Sequence, residues 1–234
     1  MADKFYDIED FSGKEDKIFF TSDTHFGHGS IIDYCKRPFR DVEHMNSELV
    51  RLWNEKVPED GIVFHLGDFA LGGSGFWKDI VSKLNGDVHI ILGNHDYKNF
   101  RPSYNDMFAS VSLEKTIEVG GHTIWLNHMP YLCFPHSWEG YDSHWNLFGH
   151  VHSGKGNETG LDCMRMRYLF PTQYDVGVDN NDYAPVSYRE VEEKIMKQCD
   201  SQGLLNFTYN PDSNANILER LSEDRMIVKP KGIK

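Results

Sequence analysis

The sequence predicts an α/β fold: two β-sheets stacked as a sandwich and flanked by helices, one main unit over residues 1–186, with a helical extension over 187–234 packed on it. Three observations carry that reading. The first half alternates short apolar runs with stretches of helical spacing. The texture beyond residue 113 changes to strand pairs around a glycine turn. The polar clusters "SDTHFGH", "GDF" and "GNHD" each follow directly on an apolar run.

The runs "KIFFTS" (17–22), "IVFHL" (62–66) and "DVHIIL" (87–92) read as short buried strands. Between the first two, Val42, Met45, Leu49, Leu52 and Trp53 recur at helical spacing behind an N-cap at Asp41. Between the next two, Phe76, Ile80, Val81 and Leu84 do the same after Ser74. Strand, helix, strand, helix, strand predicts crossover units and a mainly parallel sheet. "EKTIEV" and "HTIWLN" flank Gly120 and Gly121, a two-residue hairpin turn. "WNLFG" (145–149) and "YDVGVD" (174–179) add strands to a second half expected to be antiparallel. In "SYRE" a capping box, Ser187 with Glu190, opens a helix through "VEEKIMKQC"; the tail then carries the polar stretch "YNPDSNAN" and a short helix, "ILERLSED".

Hydrophobic and charged fractions of 39% and 26% belong to an ordinary globular chain. No apolar run approaches the roughly 20 residues that cross a bilayer. The opening "MADKFYDIEDFSGKEDK" lacks a basic n-region and an apolar h-region, so no membrane association and a cytoplasmic location are expected. Cys35, Cys133, Cys163 and Cys199 are scattered without a CxxC pair and are expected as free thiols. Net charge is 24 minus 36, or −12, which opposes stable attachment to long nucleic acid. A small phosphorylated substrate stays compatible if cations sit in the site. All 12 histidines lie between His25 and His152, which directs the search for chemistry there.

In order, the strand-end clusters supply Asp23, His25 and His28; Asp68; Asn94, His95 and Asp96; His128; and His150 with His152. In an extended segment residues i and i+2 point the same way, so Asp23 with His25, and His150 with His152, are each expected to converge. One such pair alone carries little. With His28, His95 and Asp96 set aside, the ends together offer two carboxylates, an amide oxygen and four imidazoles, a mixed set suited to Mn, Fe, Zn, Ni or Co. Seven donors exceed one site with an open position. Two adjacent ions bridged by a carboxylate use them economically, and such pairs serve phosphoryl chemistry. His95 can donate a proton to a leaving alkoxide, with Asp96 orienting the imidazole.

The order D-x-H, G-D, G-N-H-D, H, G-H-x-H resembles the calcineurin-like metallophosphoesterase superfamily over about residues 17–180, and "FTSDTHFGH", "YCKRPF" and "HLGDFALGG" are similar to its small stand-alone bacterial and phage members. The resemblance implies that superfamily's fold and two divalent transition-metal ions, manganese foremost. It places Asp23, His25 and His152 on the first ion, Asn94, His128 and His150 on the second, Asp68 between them, and a bridging hydroxide as nucleophile. It gives His95 a general-acid role and implies hydrolysis of small phosphate esters, foremost nucleotide-type phosphodiesters. A phosphomonoesterase, a protein phosphatase and a metal-free scaffold are the alternatives. "GDFALGG" and "GNHD" depart from the protein-phosphatase pattern of "DRG" and "GNHE".

His28 and Arg37 are weaker candidates for contact with substrate phosphate; His28 could equally sit behind the first donors, and Arg37 could pack its loop. His65 is expected behind the donors or in the core. The loop after His128, "MPYLCFPHSWEGYDSHW", either stacks a nucleobase or packs on itself. The loop after His152, with Lys155, Arg165 and Arg167, is either a lid or solvated charge.

Overall fold

The computed structural model describes residues 8–137, 143–154, 166 and 169–201. Strand β1 (Ile8–Asp10) precedes β2 (Ile18–Thr21), a short helix α1 (Ser30–Tyr34) and the long α2 (Val42–Lys56). Then come β3 (Ile62–His65), α3 (Ser74–Val81), β4 (Asp87–Ile91), the one-turn α4 (Asp96–Asn99) and β5 (Ser110–Ser112). The second half contributes β6 (Glu114–Val119), β7 (His122–Asn127), β8 (His144–Phe148), β9 (Gln173–Asp175), β10 (Val186–Ser187) and α5 (Tyr188–Ser201).

One sheet has the order β10-β2-β3-β4-β5, with β2 through β5 mutually parallel, as the βαβ pattern predicts. Strand β2 throughout and β3 beyond Ile62 are buried on both faces, which explains why they read as unbroken apolar runs. Ile18, Phe20 and Phe64 face the second sheet, while Phe19, Val63, Val88 and Ile90 face the helices, meeting Met45, Leu49 and Trp53 of α2 and Trp77 and Ile80 of α3. Asp41 caps α2, accepting the His44 amide at 2.7 Å. The N-cap of α3 is Gly73 rather than Ser74, which starts the helix itself.

The second sheet has the order β1-β6-β7-β8-β9, and here the expectation of an antiparallel half is corrected. The hairpin β6–β7 forms as read, with both turn glycines at positive φ (+59° and +83°), the backbone a type I′ turn demands. But β7–β8, β8–β9 and β1–β6 are parallel. Strands β7 and β8 run side by side in the same direction, Leu126 opposite Leu147. Strand β9 also stops at Asp175, because its carboxylate accepts the Gly177 amide at 2.8 Å and turns the chain into a 3-10 segment, Val178–Asn180.

The capping box forms, with Glu190 Oε2 accepting the Ser187 amide (2.8 Å) and Ser187 Oγ accepting the Glu190 amide (3.2 Å). Val191, Ile195 and Cys199 of α5 join the core between the sheets. The second tail helix, Cys163 and the basic residues of the loop after His152 lie outside the described residues. Among the described residues Cys35 and Cys133 are free thiols, and no helix is long and apolar enough to cross a membrane.

Candidate metal centre

Because β2, β3, β4, β7 and β8 all finish at the same edge, every donor cluster in the sequence emerges there. The loops are tied to one another by backbone. Asp23 N donates to Gly67 O (2.9 Å), His25 N to Asp68 O (3.0 Å) and Gly149 N to His128 O (2.9 Å). Side chains add ties: His95 N donates to Asp68 Oδ1 (2.9 Å), and His150 N to Asp23 Oδ2 (2.8 Å).

Asp23, His25, Asp68, His150 and His152 all adopt left-handed backbone, with φ of +57°, +50°, +54°, +70° and +49°. Such conformations cost a non-glycine residue on the order of 1–3 kcal/mol and persist only where surroundings over-determine them. Here the cross-ties do so. The i, i+2 reading from extended strands is therefore corrected: Asp23 and His25 converge past the end of β2, Oδ1 to Nε2 3.9 Å, through left-handed turns. His150 and His152 diverge into different groups.

The first group is Asp23, His25 and His152; the second is Asp68, His128 and His150. Within each, the donor atoms lie within 4.8 Å of one another. Asn94 joins the second, its Oδ1 3.0 Å from His128 Nε2. Asp68 Oδ2 connects the two, 3.6 Å from His25 Nε2 and 3.5 Å from His128 Nε2. His152 Nε2 lies 3.7 Å from Asp23 Oδ1. Ligands about 2.1 Å from a cation stand roughly 3.0–3.4 Å apart, so these separations approach those of a coordination shell. Asp23 Oδ1 and His25 Nε2 are buried without hydrogen-bond partners. Burying such atoms costs free energy unless something pairs with them, and a divalent cation fits the demand of both.

Outer contacts fix the ring orientations. His128 Nδ1 meets Leu66 O at 2.7 Å and His152 Nδ1 meets Asp179 Oδ2 at 2.8 Å, so each donates outward and points Nε2 into the centre. Asp179 in turn takes two hydrogen bonds from Arg37, both 2.8 Å, while the same guanidinium donates to Asp23 O (2.7 Å) and Thr24 O (3.0 Å). The Arg37 side chain has no exposed surface. Its guanidinium is taken up by protein groups: it locks the loop of Asp23 to the carboxylate that orients His152.

Electrostatics follow from this packing. Burial and the neighbouring His152 hold His25 neutral, well below its ordinary range. Burial disfavours the charge on His128, yet the hydrogen bond to Asp68 and the charges of Asp23 and Asp68 prevail, raising it to about 9. Burial likewise opposes charge on His152, but Asp23 and Asp179 raise it to about 11. Burial would raise Asp68, and the His128 hydrogen bond and surrounding imidazole charge hold it far below the usual carboxylate range.

His95 is the open imidazole of the cluster: its side chain is 44% exposed, with Nε2 4.0 Å from Asp68 Oδ2. Asp96 does not orient it. That expectation is corrected, because the fully buried Asp96 carboxylate accepts the amides of Asp68 (2.7 Å), Phe69 (3.0 Å) and Gly93 (2.9 Å), stapling the loop after β3 to the loop after β4. His28 lies at the rim, its ring 5.3 Å from His25 and 5.9 Å from His95. His65 is buried, and Nδ1 accepts the Gly67 amide (3.2 Å) while Nε2 meets Thr24 Oγ1 (2.9 Å), so it serves the core, as expected.

Sequence reading missed Asp179 and Asp175. Asp175 is buried and takes the Ser153 amide (3.2 Å) and hydroxyl, which sets the chain just after His152. It also missed why glycine precedes each later cluster. A Cβ on Gly149 would sit 2.0 Å from Ser22 Oγ and 2.4 Å from Asp23 Oδ2, and one on Gly93 would sit 2.3 Å from Asp68 Oδ1. Gly149→Ala is expected to destabilise the protein by about 1–3 kcal/mol, the usual scale of overpacking, and to weaken manganese binding. Gly75→Ala, where an added Cβ meets nothing in α3, is expected to be neutral or slightly stabilising. Urea melts and manganese titrations of the two variants check this.

Donors gathered at the C-terminal edge of two stacked sheets define a candidate metal centre, and comparison with known proteins gives its family. The family model described as calcineurin-like phosphoesterase matches residues 16–179, and the chain belongs to that family. It is similar to the uncharacterised protein MJ1445 of Methanocaldococcus jannaschii, 32% identical over 77% of this chain and 92% of the relative. It is also similar to the gene 66 protein of Mycobacterium phage D29, 30% identical over 76% of this chain and 95% of that protein. Among solved structures, the protein of unknown function AQ665 from Aquifex aeolicus superposes with a TM-score of 0.58 at 25% identity, covering 75% of this chain and 97% of its own.

Proposed function

We propose that the protein hydrolyses small phosphate esters, foremost phosphodiesters of nucleotide type, with two divalent cations held at the shared edge. The observation that carries this reading is Asp68 Oδ2, placed 3.6 and 3.5 Å from one imidazole of each donor group. Asp23, His25 and His152 would hold one cation, Asn94, His128 and His150 the other, and Asp68 both. Bound there, a pair of dications activates water and offsets the charge of the phosphoryl oxygens. The chain supplies the rest. Its cross-tied loops fix the donors before substrate arrives, and His95, open to the cleft, delivers a proton from its ring to the departing oxygen.

Turnover of bis-p-nitrophenyl phosphate is expected with added manganese and is expected to vanish on chelation. Unchanged turnover after chelation would reject metal-dependent hydrolysis.

Loading should depend on pH. Protons held by His128 and His152, raised to about 9 and about 11, occupy the positions a cation would take. A cation must displace them, so manganese affinity is expected to rise from pH 6.5 to pH 8.5, by up to about tenfold per pH unit for each proton released. Calorimetric titration at the two values measures it.

A further inference from the structure

Beside the second donor group, a cavity of about 200 Å³ opens against Asn94 and His128. Its walls are Leu92, Tyr97, Leu113, Met129, Pro130 and Tyr131. Tyr97, Leu113 and Met129 are 57%, 62% and 46% exposed, an unusual grouping of large apolar side chains at one opening. They come from α4, from the β5–β6 junction and from the segment after β7, so three separate parts of the chain build the cavity.

One wall is fixed in advance. The Tyr131 carbonyl accepts from Gln173 Nε2 (2.8 Å), its amide donates to Asn146 Oδ1 (3.4 Å), and its hydroxyl donates to Glu114 (2.6 Å). Asn146 and Gln173 are themselves buried and joined at 2.8 Å. Asn127 of the floor is occupied too, donating to Met129 O. The start of the loop after His128 is therefore a braced wall in which the Met129 carbonyl and the polar groups of Tyr131 are already used, and its side chains offer a ligand apolar and aromatic surface. Such pre-formed clefts bind without an ordering cost.

We infer that this cavity is a specificity pocket for a planar ring carried on the phosphate ester, with Tyr97, Leu113 and Tyr131 as the residues that select it. The inference rests on the hydrolase reading in placing the phosphate at the donor groups. Volume and wall chemistry set the occupant. The space suits one ring system rather than a peptide, and two tyrosines with aliphatic partners favour a flat π face over a charged group.

The test is calorimetric binding to the manganese-supplemented full chain, using phosphonates that cannot be hydrolysed. Phenylphosphonate is expected to bind about tenfold tighter than methylphosphonate, the scale of one stacked ring. In Tyr97→Ala/Leu113→Ala that advantage is expected to disappear while methylphosphonate affinity holds. The methylene isostere of adenosine 5′-monophosphate separates a ring directly on phosphorus from a nucleobase one sugar away. A gain for either ring, lost in the variant, supports the pocket. No gain for either ring, or a gain that survives in the variant, overturns it. Ring-selective phosphonate binding by a chain that, with manganese, fails to turn over bis-p-nitrophenyl phosphate would instead reject the hydrolase reading and leave the pocket standing.

Discussion

Asp68→Asn is expected to reduce manganese stoichiometry from two to at most one per chain and to lower turnover by at least about 10²- to 10³-fold. That is the scale on which a preorganised electrostatic contact at a reacting centre is lost. Asp68 Oδ2 stands between His25 and His128, and Oδ1 accepts the His95 amide, so the same carboxylate joins both donor groups and holds the loop of the proposed acid. Asparagine keeps the shape and can keep the His95 tie through its carbonyl oxygen, but it removes the charge that two cations would share. Calorimetry with manganese, with circular dichroism to confirm the fold, reads the outcome. Two ions bound as tightly as in the unmodified chain would show that Asp68 is not the shared ligand.

His95→Ala is expected to leave both cations bound while lowering turnover by about 10² or more, the usual scale for a positioned general acid. The separation is clean because the substitution spares what His95 gives the architecture. Its amide still meets Asp68 Oδ1, and only the exposed ring is deleted. Steady-state kinetics on bis-p-nitrophenyl phosphate beside manganese titration measures both quantities. Asp96→Ala makes the contrast. Its carboxylate holds three backbone amides of two loops, so its loss is expected to weaken manganese binding and stability together.

The strands β2 and β3 were legible because burial on both faces leaves an apolar run, β4 because Val88, Ile90 and Ile91 are buried, and α2 because Asp41 and the apolar stripe agree. The direction of β8 was not legible. Parallel and antiparallel neighbours bury the same alternate residues, so the pairing of β7 with β8 leaves no mark on the apolar pattern. At the site, the donor types could be read from chemistry alone, since imidazoles, carboxylates and an amide at five strand ends invite a metal. Their convergence could not be read correctly, because left-handed φ at Asp23, His25, Asp68, His150 and His152 carries no side-chain pattern. Sequence adjacency also misled at Asp96, whose partners are the amides of Asp68, Phe69 and Gly93 rather than the neighbouring imidazole. That Arg37 packs its loop was among the readings, but its partner Asp179 was not legible: their pairing spans most of the chain and exists only once β9 lies beside β8.

The most direct measurement is anomalous diffraction at the manganese edge from crystals of the full chain soaked in manganese. Two peaks about 3.5–4 Å apart are expected, one beside Asp23, His25 and His152 and the other beside Asn94, His128 and His150, with Asp68 touching both. A single peak, or two peaks that Asp68 does not join, would contradict the shared carboxylate on which the proposed chemistry depends.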